Sequence, residues 1–493
     1  MNPLKQLAGQ TAIYGLSSIV GRLLNYLLVP LYTRYFLPSE YGVVTELYAY
    51  VAFLVIMLTY GLETAFFRFS QKQYDKQLVY STSLISLIIS SIVFVGLMIF
   101  YQLPISNWLE YPNHSEYVMW FAIIIGLDAI SSISFAKLRE QRQAARFALV
   151  RLVNIFINIG LNLFFIIYCP YALENGLPTA GFVNSVYDPT VGIGYIFIAN
   201  LFASIITILM LFPEMIKSRW KFNTMLWKKM MWYALPLLVA GLAGMTNETI
   251  DRILLKHLLP DGIDKMATIG VYGAFYKLSI IMILFIQTFR FAAEPFFFSQ
   301  EKKQNSRKIY ADVLKYFTIL ASLIFLAVML YIDVVKHFVG SSFHHEKGIE
   351  IVPILLMANL FLGIYYNLSI WYKLTEKTGY GAMLAIFGAI ITLGLNILLI
   401  PKIGFVGSAW ATLACYFSMM LASLLIGRKH YPIPYDFKRV FTYIILSFGL
   451  YKISAYFDTS MLINTVYLLV FIVAVFVLEK SKKEVISEPE LFD

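Results

Sequence analysis

The sequence predicts an all-α polytopic membrane protein of about fourteen transmembrane helices. Three observations lead there. Of the 493 residues, 59% are apolar and 14% charged, against about 25% charged in an ordinary soluble domain. The mean hydropathy is +0.71. The apolar residues gather into runs of about 20, the length that crosses roughly 30 Å of hydrocarbon. No soluble core could bury so much apolar surface, which excludes soluble enzymes, secreted domains and disordered tails. The only cysteines, Cys169 and Cys415, are too few for a disulfide framework or a cysteine metal site.

Apolar spans are read at about 11–32, 41–67, 79–101, 117–136, 147–168 and 191–211. After a basic break, more follow at about 231–254, 268–298, 310–333, 350–372, 380–400, 405–427, 440–457 and 461–478. The first is too long for a signal peptide and lacks its small-residue cleavage site, so it is expected to stay as a helix. The span ending at Phe298 is longer than the bilayer requires and should tilt, bend or project. The parsing is a six-helix lobe over 1–220, a second over 225–430, and a terminal helix pair with a cytoplasmic tail over 431–493.

Charge supports the count. The net charge is +10, and lysine and arginine collect on the cytoplasmic side of membrane proteins. With the N-terminus inside, 26 of the 39 basic residues fall on the inner side, among them Arg139, Arg146, Lys217, Arg219 and Lys373. Six fall outside (Arg34, Lys256, Lys265, Lys336, Lys347 and Lys402), and seven lie within spans or at their ends. A wrong number of spans would scramble this alternation. Both termini are therefore expected in the cytoplasm, and the basic balance needs no nucleic acid. The outer loops are too short to house a catalytic domain, and His344-His345-Glu346 lacks a second ligand group at helical spacing, so no metal is expected.

A faint internal repeat is visible. Arg34 precedes Pro38 by four residues, and a Gly-Val at Gly42 is expected to open the next helix. Lys256 precedes Pro260 by the same spacing, with Gly270 in the corresponding role. Likewise, the segment from Gly192 resembles that from Gly404.

Charged residues within hydrocarbon cost about 2.5–3.5 kcal/mol on insertion scales, which makes each a site candidate. Arg22 lies halfway along the first span on a stripe with Gly15, Ser18 and Asn25. It suits either a substrate-lined cavity or a buried pair with Glu63 or Asp128. Arg151, Asn154, Asn158 and Asn162 share one face of the fifth span, where the amides could recognise sugar hydroxyls or glue helices together. In the seventh span Glu248 and Arg252 stand at i, i+4, as do Asn247 and Asp251, an arrangement that is either self-satisfied or an outer gate. In the eighth, Gln287, Arg290 and Glu294 form a stripe. Lys277 would lie roughly 220° away on a straight helix. Asp128, beside Ser131 and Ser132, could carry a proton or neutralise Arg22.

These segments carry a resemblance. Pro30 to Tyr50, Ile250 to Leu278, and Ile400 to Leu413 resemble the polysaccharide flippase branch (Wzx-type O-antigen and capsule-unit transporters) of the multidrug/oligosaccharidyl-lipid/polysaccharide exporter superfamily. The resemblance implies a MATE-like pair of pseudo-symmetric six-helix bundles plus a C-terminal helix pair. It also implies alternating-access transport of an undecaprenyl-pyrophosphate-linked oligosaccharide across the bacterial inner membrane, for O-antigen, lipopolysaccharide, capsule or exopolysaccharide synthesis. No enzymatic activity and no cofactor are implied; membrane lipid, a glycan polymerase and glycosyltransferases are the partners. Related lipid II flippases use cavity arginines on their first, second and eighth helices. Arg22 and Arg290 match two of these, whereas the second helix here offers Glu46 and Glu63 but no arginine before Arg68.

The headgroup of such a lipid cannot cross hydrocarbon with its hydrogen bonds unmade. Arginines hold a diphosphate by paired, charge-assisted hydrogen bonds. The expected pyrophosphate and sugar contacts are therefore Arg22, Arg290, Asn25, Asn154, Asn158, Gln287 and Lys277. Asp128, Glu63, Glu248, Asp251, Arg252 and Glu294 are the coupling or gate candidates. The rival readings are a cation-coupled multidrug antiporter with Asp128 as coupling residue, and a membrane glycan polymerase or ligase.

Overall fold

The structure, a computed structural model, describes residues 19–71, 74–301 and 305–487. Every regular element among them is helical. Thirteen helices are long and apolar enough to cross a membrane, and in order they match the second to fourteenth expected spans. The first expected span lies partly outside the described residues, as do Gly15 and Ser18. Its described part is helical from residue 19 and continues as α1 (Leu28–Tyr35). The protein is thus a multi-pass membrane protein.

Contacts divide the chain into two compact units. Unit 1 runs to His257 and includes Asp261–Gly270; unit 2 comprises Leu258–Pro260 and the chain from Val271. Unit 1 holds α2 (Pro38–Thr59), α3 (Leu62–Ser70), α4 (Lys76–Phe100), α5 (Ser115–Glu140), α6 (Ala144–Leu163), α7 (Gly194–Ile216) and nearly all of α8 (Thr224–Leu258). Pro38 occupies the first turn of α2, where its missing N–H costs nothing, and Glu40 accepts the Leu37 backbone N–H at 2.7 Å. The expected 41–67 helix is interrupted at Tyr60 and Gly61, whose φ values of 35° and 71° are left-handed. Gly61 suits that conformation, and a Cβ there would lie 3.0 Å from the Ala234 carbonyl. Leu62, Phe66, Tyr80, Leu87, Ile133, Phe147 and Leu211 close the core of this unit.

Helix α9 (Lys265–Leu278) spans the division, and unit 2 continues with α10 (Ile280–Gln300), α11 (Ser306–Leu330), α12 (Glu346–Leu368), α13 (Gly379–Ile403), α14 (Phe405–His430), α15 (Phe437–Phe457) and α16 (Met461–Ser487). The long eighth span bends as expected, breaking at Ser279 between α9 and α10. The Ser279 hydroxyl donates to the Tyr276 carbonyl at 2.7 Å and accepts from Asn359 at 3.3 Å. The angle calculated for Lys277 assumed a straight helix and does not carry across this break. Helix α14 packs on both α12 and α13, and α11 packs on α15. Gly363 allows α12 to approach α11 closely: a Cβ there would meet the Phe317 ring at 2.2 Å.

Many large apolar side chains face outward, including Ile89, Ile92, Val93 and Leu97 on α4 and Leu469, Val473 and Phe476 on α16. Contiguous exposed apolar surface is a liability in water but matches acyl chains, which are themselves apolar.

The repeat glycines are placed differently from expectation. Gly42 and Gly270 do not open their helices but lie one turn inside α2 and α9. They meet each other there. A Cβ on Gly42 would lie 1.9 Å from the Met266 carbonyl oxygen, and one on Gly270 would lie 1.9 Å from that of Pro38. The glycines are needed for a backbone-to-backbone crossing, not for helix initiation.

Candidate functional site

Unit 1 carries a polar face assembled from the first helix and α6. Gly21 brings the two together, since a Cβ there would fall 2.6 Å from Ile155. One turn on, Asn25 accepts a hydrogen bond from Asn158 at 3.4 Å. Asn162 donates to Asn158 (3.2 Å to Oδ1, 2.7 Å to the carbonyl) and accepts the Tyr32 hydroxyl at 3.0 Å. Asn154 donates instead to Thr207 of α7 at 3.0 Å. The row expected along α6 is therefore continuous from Asn158 to Asn162, while Asn154 turns toward α7. Asn162 is fully buried and joins the helices by hydrogen bonds, whereas Asn25 is exposed.

Arg22 is exposed and makes no ion pair among the described residues. Neither expected acid reaches it. Glu63 pairs with Arg139 at the end of α5, and Asp128 accepts the Ser204 hydroxyl at 2.9 Å. Arg151 is also exposed, its guanidinium 4.2 Å above the Phe135 ring, and it interacts electrostatically with Asp128 and, repulsively, with Arg22. This face thus carries two exposed arginines beside a run of amides.

Unit 2 carries a second cationic cluster. The Arg290 guanidinium lies 4.4 Å from the Tyr366 ring centroid, and its Nε donates to Glu294 Oε1 at 3.3 Å, one turn along α10. Lys373 donates to the same oxygen at 2.6 Å. Arg290, Glu294 and Lys373 are 43%, 38% and 25% exposed, so the cluster is open. Gln287 is half-buried a turn before Arg290. Sequence reasoning placed Lys373 among the inner-loop charges and missed its convergence on Glu294. The signal available was its position at the C-terminal end of the tenth span.

Among the gate candidates, Arg252 pairs with Asp251 at 3.0 Å and donates to the Glu248 carbonyl at 2.5 Å. Its side chain is 11% exposed and that of Asp251 5%. The most deeply buried ion pair among the described residues was not foreseen. Glu46 and Lys256 are 0% and 2% exposed and 3.2 Å apart. The Tyr111 hydroxyl donates to Glu46. Lys256 donates to the Leu109 carbonyl at 2.5 Å and sits 4.3 Å from the Tyr111 ring centroid. Burial and the Glu46 carboxylate push the Tyr111 phenol well above its ordinary pKa, so it stays a donor. Among the described residues, no group of three or more His, Cys, Asp or Glu is placed to hold a metal.

This architecture defines a class: an all-helical membrane protein with the fold of the MOP-superfamily transporters. The chain is similar to the lipid II flippase MurJ in an inward closed conformation, with TM-score 0.71 and 16% identity over 95% of this chain and 99% of that one. It is also similar to an inward-facing MATE-family multidrug resistance transporter of the MOP superfamily, with TM-score 0.63 and 13% identity over 86% and 97%. A MOP-superfamily transporter from Pyrococcus furiosus matches with TM-score 0.51 and 14% identity over 86% and 94%. Residues 7–301 match the polysaccharide biosynthesis protein family, and the chain belongs to that family. No curated protein matches it significantly in sequence.

Proposed function

We propose that the protein is a flippase that moves an undecaprenyl-pyrophosphate-linked oligosaccharide across the bacterial inner membrane by alternating access, serving O-antigen, capsule or exopolysaccharide synthesis. The carrying observation is Arg22: an exposed guanidinium on an apolar helix, without an ion pair among the described residues. Such a charge is costly in hydrocarbon unless water or an anion meets it. A diphosphate accepts several charge-assisted hydrogen bonds. The exposed amide of Asn25 and the neighbouring Asn158 suit sugar hydroxyls. Unit 2 carries a part-exposed cation of its own, Arg290. Membership of a polysaccharide biosynthesis family and a fold shared with a lipid flippase support the same reading.

The test is complementation of surface glycan in a strain lacking its own flippase, with expression of each variant matched. Arg22→Gln combined with Arg290→Gln should abolish surface glycan and leave lipid-linked units on the inner leaflet, while the Lys variants retain part of the activity. Full complementation by the double Gln variant would end the assignment.

A further inference from the structure

Two cations of unit 2 converge on one carboxylate oxygen. Arg290 Nε and Lys373 Nζ both donate to Glu294 Oε1, at 3.3 and 2.6 Å, and the guanidinium is backed by the Tyr366 ring. A single anionic oxygen shared by a guanidinium and an ammonium is the coordination that a phosphate oxygen receives. The three side chains are part-exposed, so an incoming anion can reach them, and two cations facing one carboxylate leave one positive charge uncompensated locally. Arg290 lies at the middle of α10, and Lys373 lies in the short helix Ile370–Leu374 that follows α12.

We propose that Lys373 is the second cation of a diphosphate clamp with Arg290, and that Glu294 is the clamp's resting occupant, displaced when an isoprenoid diphosphate binds. The inference rests on the proposed transport of a lipid-linked diphosphate and adds to it a cation and a competing anion. The exchange is between anions of similar bonding capacity. In the resting state Glu294 accepts hydrogen bonds from both cations through one oxygen. On binding, two or more phosphate oxygens take over the donors. Lys373 then selects for the second phosphate, because a monophosphate held by Arg290 leaves the ammonium with Glu294.

The experiment uses the full chain in nanodiscs of phosphatidylcholine, which has no net charge, and measures equilibrium binding of radiolabelled farnesyl diphosphate. Farnesyl monophosphate and inorganic pyrophosphate serve as competitors. Thermal unfolding of each variant checks that it is folded. Lys373→Gln should weaken diphosphate binding about tenfold, the equivalent of about 1.4 kcal/mol, and remove most of the preference over monophosphate. Lys373→Arg should restore both. Glu294→Gln should tighten diphosphate binding several-fold by removing the competitor. Poor competition by inorganic pyrophosphate supports a lipid headgroup as ligand, whereas competition equal to that of farnesyl diphosphate overturns it in favour of the free anion. Unchanged affinity and selectivity in folded Lys373→Gln, with Arg290→Gln defective, would overturn the clamp and leave the transport reading standing. Weakened binding in Glu294→Gln would show that the carboxylate positions Arg290, and would overturn its role as occupant. Failure of the wild type to bind any diphosphate would count against the transport reading itself.

Discussion

Lys256→Met isolates the cost of a buried charge. The ammonium is 2% exposed and lies 3.2 Å from Glu46, which is fully buried. At an effective dielectric of about 20, the direct attraction at that distance is about 5 kcal/mol, most of it offset by the desolvation of both groups. Removing one partner forfeits the attraction and keeps the other group's desolvation, so a loss of about 3–5 kcal/mol is expected. Methionine fills much of the lysine stem, which limits any contribution from a void. The paired change Glu46→Gln with Lys256→Met should cost far less than the single one, because no charge is left stranded. Tyr111→Phe should cost about 1.5–3 kcal/mol through its lost hydrogen bond to the carboxylate. Reversible denaturant unfolding in mixed micelles, run as a double-mutant cycle, gives these differences. A Lys256→Met loss below about 1 kcal/mol, or additivity of the two single changes, would show that the pair is hydrated in solution and would refute the reasoning.

Other substitutions separate backbone crossings from ordinary positions. Gly42→Ala and Gly270→Ala each drive a methyl into a backbone carbonyl at 1.9 Å, and no rotamer can relieve that clash; both should sharply lower the yield of folded protein in size-exclusion profiles. Gly160→Ala, in α6 with nothing within 4 Å of the added carbon, should stabilise by about 0.5–1 kcal/mol in the same unfolding assay. Asn162→Ala removes a fully buried amide and leaves the Tyr32 hydroxyl without its acceptor, so a loss of about 1–3 kcal/mol is expected. Glu63→Gln breaks a pair with Arg139 that is more than a third exposed on the carboxylate side; it should cost under about 1 kcal/mol, whereas a coupling role would show as lost transport at unchanged stability.

What could be read from the sequence follows the range of the interactions involved. Span positions depend on local composition, and the thirteen described spans fall where the apolar runs are. The bend in the eighth span was legible because 31 apolar-rich residues exceed one crossing; its location at Ser279 depends on a bond from Asn359, 80 residues away, and was not. The stripe of Asn154, Asn158 and Asn162 was visible from helical spacing, but spacing does not say which neighbour each amide meets. Lys256 shows the limit most clearly. Read alone it is an outer-loop charge, and its partner Glu46 lies 210 residues earlier, so neither position suggests the other without the fold. Lys373 failed for the same reason, since its convergence with Arg290 depends on how α10 meets the short helix after α12.

The two similar segments differ where that buried pair is made. Lys256 precedes Pro260 by four residues as Arg34 precedes Pro38, and Glu46 follows Gly42 by four residues as Ala274 follows Gly270. The glycines themselves have kept their function in both copies, because each accommodates the backbone of the other's helix. The charges have not. Where the first segment has Glu46 the second has Ala274, and Arg34, which stands before its Pro as Lys256 does, is exposed. Lysine can be buried at 256 only because a carboxylate and the Tyr111 hydroxyl are supplied there. The two segments share a backbone approach that only glycine permits, and differ in the polar groups around it: a buried pair at Glu46 and Lys256, and an exposed Arg34.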